Sequence, residues 1–333
     1  SVLSDKGVEL LKLNEFIIKE TKGEFISDIR DAKGKIWDNM LIVADRVQPK
    51  LFFIDVRSGE IVKSIGKMGT GPGELFIIDA FEISEDGRLY IYDQGHRRVF
   101  CFDTSGSFLY SFNFPSNLIP GVREIKLRGG KIYMDILESK YATDRWRSRA
   151  IGVFDFRGNL LNLFGVHDDI AKTFTYGSGS TWFDFDRFGN VYSVDWKTYR
   201  IYKYDSTYKL VKVFGFQGKF RLPAEDIPWN LPFPEISRRL MGSSGTQTLI
   251  VSGDYIYHQF YDFTEEAVRT RRYLDSKHYL KVYDLDGNYI PSDIELPGVL
   301  LCVDEWGRLY IYENDEPGNK RIGVYELRVI NRD

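Results

Sequence analysis

Six diverged copies of one short pattern decide what this chain can fold into. The segment Gly87-Arg88-Leu89-Tyr90-Ile91-Tyr92-Asp93 has relatives at Gly130-Lys131-Ile132-Tyr133, Gly189-Asn190-Val191-Tyr192, Tyr255-Ile256-Tyr257 and Gly307-Arg308-Leu309-Tyr310-Ile311-Tyr312-Glu313, with a degenerate first copy at 39–45. Each is followed by a second apolar run closed by an acid: Asp55, Asp103, Asp155, Asp205, Asp284 and Glu326. Self-similarity at this spacing means a solenoid or a propeller. Four short strands per copy, turns at both ends and no helical period select the propeller. The strand runs are apolar on both faces, as expected where every sheet is sandwiched between two others.

The expectation is therefore an all-β fold, a six-bladed β-propeller occupying 1–333 as one unit, with blades near 20–66, 76–115, 122–165, 181–217, 246–296 and 298–330. The sixth copy ends early, with no turn and fourth strand after its third, while the apolar stretch 8–19 precedes the first blade. An open sheet edge invites aggregation. We expect 8–19 to supply the outer strand of the sixth blade, antiparallel to 321–327, closing the ring.

Composition fits this picture. At 333 residues the chain is long for one ordinary core, a limit that repeats escape because each unit buries its faces on its neighbours. Aromatic residues reach 15%, which favours pleated, half-buried surfaces. A net charge of −3 creates no field toward nucleic acid, so no nucleic-acid partner is expected. No apolar run approaches the roughly 20 residues of a membrane-spanning helix. Cys101 and Cys302 lie inside apolar runs and read as core residues, too far apart to bridge.

In three copies an acid ends the second strand and a base follows five residues later: Asp45 and Lys50, Asp93 and Arg98, Asp195 and Arg200. Opposite charges facing across a hairpin would staple it. Blades 3 and 5 lack the staple, having Ile136 and Phe260 at the acid position.

The stretch Gly69-Thr70-Gly71-Pro72-Gly73-Glu74-Leu75, then Asp86-Gly87-Arg88-Leu89-Tyr90, then Asp93, His96, Arg98 and Phe102-Asp103 resembles one full NHL repeat. The match is strong in blade 2, fair in blades 1, 4 and 6, and poor in 3 and 5. The region from Glu20-Thr21 to Ile29 through blade 1 is similar to exported, lipid-anchored bacterial six-bladed propellers, most without assigned activity. That resemblance implies an extracytoplasmic home, periplasmic or cell-surface, a lipid anchor upstream of this chain, and a binding role.

In a propeller blade the turn between first and second strands and the turn between third and fourth share one face. The second-to-third loops and the blade-to-blade connections share the other. The first set is short here, and most long connections, at 66–76, 137–148, 166–180, 219–247 and 260–277, belong to the second. Long loops in compact domains are commonly functional. Blades 3 and 5, which lack the staple, carry two of these insertions. Tyr141, Arg145, Trp146, Arg147, Trp229, Tyr261 and Arg271, with His96, are the candidate ligand-binding residues, since exposed Trp and Arg are typical anchors. The spacing Asp262-Phe263-Thr264-Glu265 suits a capping box opening a short helix to about Leu274.

The leading functional reading is a non-catalytic binding or scaffold propeller presenting this face to a ligand or protein partner, with no cofactor and no catalytic residue assigned. The alternative is a metal-dependent lyase or hydrolase at the channel mouth, with His96, His167 and His258 as ligands leaving one position open. No nucleophile elbow or phosphate loop is present, and 69–74 lacks the Lys-Ser or Lys-Thr of a P-loop.

Overall fold

The computed structural model of the chain describes residues 6–331, apart from residues 28, 30–32, 46, 175–179, 229, 271–272 and 315. Its strands form six four-stranded sheets. Five run in chain order across 34–65, 78–113, 118–164, 181–214 and 244–296. The sixth joins Val299–Val303, Arg308–Asn314 and Arg321–Asn331 to an outer strand drawn from the other end, Lys6–Ile17, which pairs antiparallel with Arg321–Asn331. The first strand of each sheet touches that of the next, and Val299–Val303 returns to Gly34–Trp37, closing a ring of six blades about a central channel. Blade 1 begins at Gly34 rather than near residue 20; Ile18, Ile26 and Ile29 pack instead into the seam between blades 6 and 1.

Alternation explains why the middle strands are apolar throughout. Along Leu89–Asp93, Leu89 and Ile91 point toward blade 1 and Tyr90 and Tyr92 toward blade 3, and all are buried. Six apolar clusters follow, one at each junction between neighbouring sheets. The repeated tyrosine always faces the next blade: Tyr90, Tyr133, Tyr192, Tyr257 and, across the closing seam, Tyr310. Outer strands have a solvent side, so Leu210–Phe214 is largely exposed. Cys101 and Cys302 are buried and unbridged, in the blade 2–3 and blade 6–1 clusters respectively.

The acids closing the third strands of the first five blades are turn caps, whereas Glu326 lies within the strand Arg321–Asn331, opposite Leu11. Asp55 accepts the Arg57 and Ser58 N–H groups, Asp103 those of Ser105 and Ser107, Asp155 those of Arg157 and Asn159, and Asp205 those of Thr207 and Lys209. Each carboxylate replaces a backbone partner the turn lacks.

The expected charge staple is corrected by the structure. Asp45 lies opposite Lys50, and Asp93 opposite Arg98, in register, yet among the described residues no ion pair joins them. The carboxylates take backbone N–H groups from nearby loops instead. Asp45 accepts from Ser27, Val47 and Gln48, and Asp93 from Phe76, Ile77 and His96. Asp195 accepts from Asp168 N–H at 2.7 Å and Thr181 hydroxyl at 2.6 Å. A charge-assisted bond to a buried N–H is shorter and stronger than a long-side-chain pair near solvent. These acids are therefore latches that tie each blade-to-blade connection to the blade it enters.

Candidate functional site on the long-loop face

The insertions in blade 3 and after it are held rather than loose. The loop 137–148 contains two 3-10 helices, Ser139–Tyr141 and Arg145–Arg147, and the following connection carries a third, Asp169–Lys172. Asp168, fully buried, caps that third helix through the Ile170 N–H at 2.9 Å. It also accepts the Thr198 and Tyr202 hydroxyls at 3.1 Å and pairs with the Arg200 guanidinium. His167 Nδ1 lies 3.2 Å from Asp195. Burial works against a charged imidazole there, but the Asp195 carboxylate outweighs it and raises the His167 pKa.

This scaffold sets Lys172 over the Trp146 ring, 5.0 Å from its centroid, while Arg147 lies 5.3 Å from the same ring. The half-buried Arg145 donates Nε–H to the Ala142 carbonyl at 3.4 Å. Tyr141 is half-buried, with Lys140 at 4.9 Å from its ring. The structure thus gathers Arg145, Trp146 and Arg147 on one turn and adds Lys172, which the sequence reading missed. Nothing in sequence joins turns 25 residues apart; their packing does.

The other candidates separate. Tyr261 is a buried residue of blade 5, because its strand runs on to Asp262, and its hydroxyl accepts the Trp196 indole N–H at 3.3 Å. His96 sits over blade 2, stacked on Phe76 at 4.4 Å, with Nδ1 3.0 Å from Asp93. Trp229 and Arg271 lie outside the described residues. The connection 219–247 carries an unexpected helix, Phe233–Leu240, whose Ile236 and Leu240 form a satellite core with Phe174 and Ile227. The helix expected after Asp262 runs Glu265–Thr270, capped by Thr264, whose hydroxyl accepts the Ala267 N–H.

At this end the channel is nearly filled. Arg123 covers Trp182 at 5.2 Å, and only about 10 Å³ remains among Lys33, Trp196, Thr246, Gln247 and their neighbours, room for at most one water. Below this constriction a cavity of about 410 Å³ follows the axis toward the short-turn face, where Asp304 and Glu305 line it. On its wall, neighbouring blades are joined by Lys35 and Glu82 at 2.7 Å and by Lys126 and Asp184 at 3.1 Å.

The histidines have separate local partners. His258 is fully buried with Nε2 3.0 Å from Thr246 Oγ1, and burial, with Lys281 nearby, holds its pKa well below the usual value. Among the described residues no group of three His, Cys, Asp or Glu side chains is placed to hold a metal ion.

The family model and the solved structures agree on architecture. Residues 5–151 match the family model DUF5128, described as a 6-bladed beta-propeller. A member of the DUF4221 family from Bacteroides vulgatus superposes with a TM-score of 0.70 at 12% identity, over 98% of this chain and 99% of that one. A candidate exported protein from Bacteroides fragilis superposes at 0.59 and 14% identity, over 97% and 95%. At such identities the likeness is one of fold. An 86-residue stretch is 33% identical to the thiamine import ATP-binding protein ThiQ of Haemophilus influenzae, covering 26% of this chain. The chain spans 39% of the length of the curated relatives it matches.

Proposed function

We propose that the chain works as one six-bladed unit and is a non-catalytic binding propeller that docks a protein partner on its long-loop face, with Trp146, Lys172, Arg145 and Arg147 at the centre of contact. The observation that carries this reading is the Trp146 ring bracketed by the Lys172 and Arg147 cations, with Lys172 on a helix capped by buried Asp168. Met68, Phe76, Leu222, Phe233 and Met241 stand on other connections of the same face, between 36% and 58% exposed. An aromatic ring with a cationic fringe on a held turn suits a partner. The latches and the satellite core hold that surface in shape, which lowers the ordering cost of binding.

No helix among the described residues is long and apolar enough to cross a membrane. An extracytoplasmic home belongs to the same proposal and is in keeping with the likeness to the exported Bacteroides fragilis protein; a lipid anchor upstream is part of the proposal and rests on the family resemblance alone. The test is capture of a partner from an envelope extract by immobilised wild type and by a Trp146→Ala/Phe233→Ser double variant of equal thermal stability. Loss of capture in the variant supports the face; equal capture moves the site elsewhere. A requirement for added zinc would favour the lyase or hydrolase instead.

A further inference from the structure

The opposite face carries a second surface with a chemistry of its own. Where the closing strand meets blade 1, a groove of about 650 Å³ runs over the seam. Its wall is Trp306, 64% exposed at the tip of the first turn of blade 6. Asp304, nearly buried, fixes that turn: its carboxylate accepts the Trp306 and Arg308 N–H groups, the Arg308 Nε–H at 2.6 Å and the Tyr310 hydroxyl. Arg308 is thereby set 4.6 Å from the Trp306 ring centroid.

The facing wall comes from three places. Arg57 is contributed by the last turn of blade 1 and Asn39, at φ +60°, by its first turn. Asn14 and Leu13 come from the closing strand, whose register slips between Lys12 and Asn14, leaving Leu13 half exposed at the bulge. A bulge re-aims side chains in this way. Among the described residues the Arg57 guanidinium and the Asn14 and Asn39 amides make no hydrogen bond within the protein, and no carboxylate lines the groove.

A held, largely exposed indole, the Arg57 guanidinium, the Arg308 guanidinium shared through its Nε with Asp304, and two amides define a ligand with one flat apolar face, a polar edge and negative charge. We propose that this groove binds an acidic saccharide. The C–H face of a hexuronate ring would lie on Trp306, its hydroxyls would meet the asparagine amides, and its carboxylate would be recognised by Arg57 and Arg308, whose planar forks match that group. The site is independent of the long-loop face.

The experiment is calorimetric titration of the whole chain with oligogalacturonate, a neutral malto-oligosaccharide of equal length, and a short peptide with a free C-terminal carboxylate. Oligogalacturonate should bind, and the neutral sugar about tenfold more weakly or worse. Trp306→Ala should weaken oligogalacturonate binding at least about tenfold. Arg57→Gln should lower the preference for acid over neutral sugar, and Trp146→Ala should change nothing. All these side chains are at the surface, and circular dichroism checks that each variant folds. No binding of either sugar, affinity unchanged in Trp306→Ala, or equal binding of the peptide would each overturn the proposal.

Discussion

Asp135 folds its carboxylate over Gly121 so closely that a Cβ at 121 would sit 1.8 Å from Oδ2. The same carboxylate accepts the Arg123 N–H at 3.1 Å and the Glu124 N–H at 3.0 Å, where the first strand of blade 3 leaves register between Pro120 and Ile125. Gly121→Ala must push the acid off those donors. It should destabilise the protein by about 1–3 kcal/mol, read by urea denaturation. An unchanged midpoint would mean that Asp135 has somewhere else to go.

Burial pushes the Asp135 pKa up to about 7 against the pull of those N–H groups. The unfolded carboxyl titrates near 3.8, so between about pH 4 and pH 7 the folded state holds a proton that the unfolded state has released. This acid's contribution to stability therefore falls as pH rises through that window and levels off above it. Asp135→Asn keeps an acceptor and removes the titration. Relative to wild type, the variant should gain stability with rising pH, by on the order of a few kcal/mol across the window. Parallel stability curves from pH 4 to 8 would show that Asp135 ionises freely.

Phe16, on the closing strand, is 6% exposed in the seam between blades 6 and 1. Phe16→Ala should cost about 3–5 kcal/mol, and deleting 1–17 should cost more, since it also strips the edge of the last sheet. Guanidinium melts of the two variants give the comparison. A deletion that melts like wild type would mean that the ring holds without its clasp.

Tyr90 and Tyr310 lie between blades, and Tyr261 is buried at the channel constriction. Alanine at any of the three should cost about 3 kcal/mol or more, whereas Trp146→Ala should cost less than about 1 kcal/mol. Thermal denaturation separates the two groups. Unfolding on loss of Trp146 would make that ring a structural pin rather than a contact residue.

The parts of the fold legible in sequence were those that repeat. The tyrosine in the second strands of blades 2 to 6 and the acid closing the third strands of blades 1 to 5 recur because each such junction and each such outer turn poses the same packing problem. Blade 3 shows where this stops. Its latch acid is Asp135, one position earlier than Asp93 or Asp195 in their strands, so it faces the other side of the sheet, and an alignment on the acid position meets Ile136 instead. The staple was misread because register brings Asp93 opposite Arg98, while the donors that capture the carboxylate, Phe76 and Ile77, come from a loop whose path the sequence does not fix. Tyr261 looked like a loop residue because its strand continues two residues past the repeat. Trp306 was passed over because a lone exposed aromatic means nothing until Arg57 and Asn14, from distant parts of the chain, are seen beside it.

The closing strand gives the ring a history as well as a shape. Lys12 meets Glu313 across 301 residues of chain, so the segment that completes the last sheet is synthesised before any strand it can join. At roughly 5–20 residues per second, it waits roughly 15–60 s with its hydrogen-bonding edge unclaimed. Phe16 and Ile18 are without their burial for that interval, and five blades can assemble around a gap meanwhile. The weakest moment of this molecule is therefore set by a clock rather than by a place.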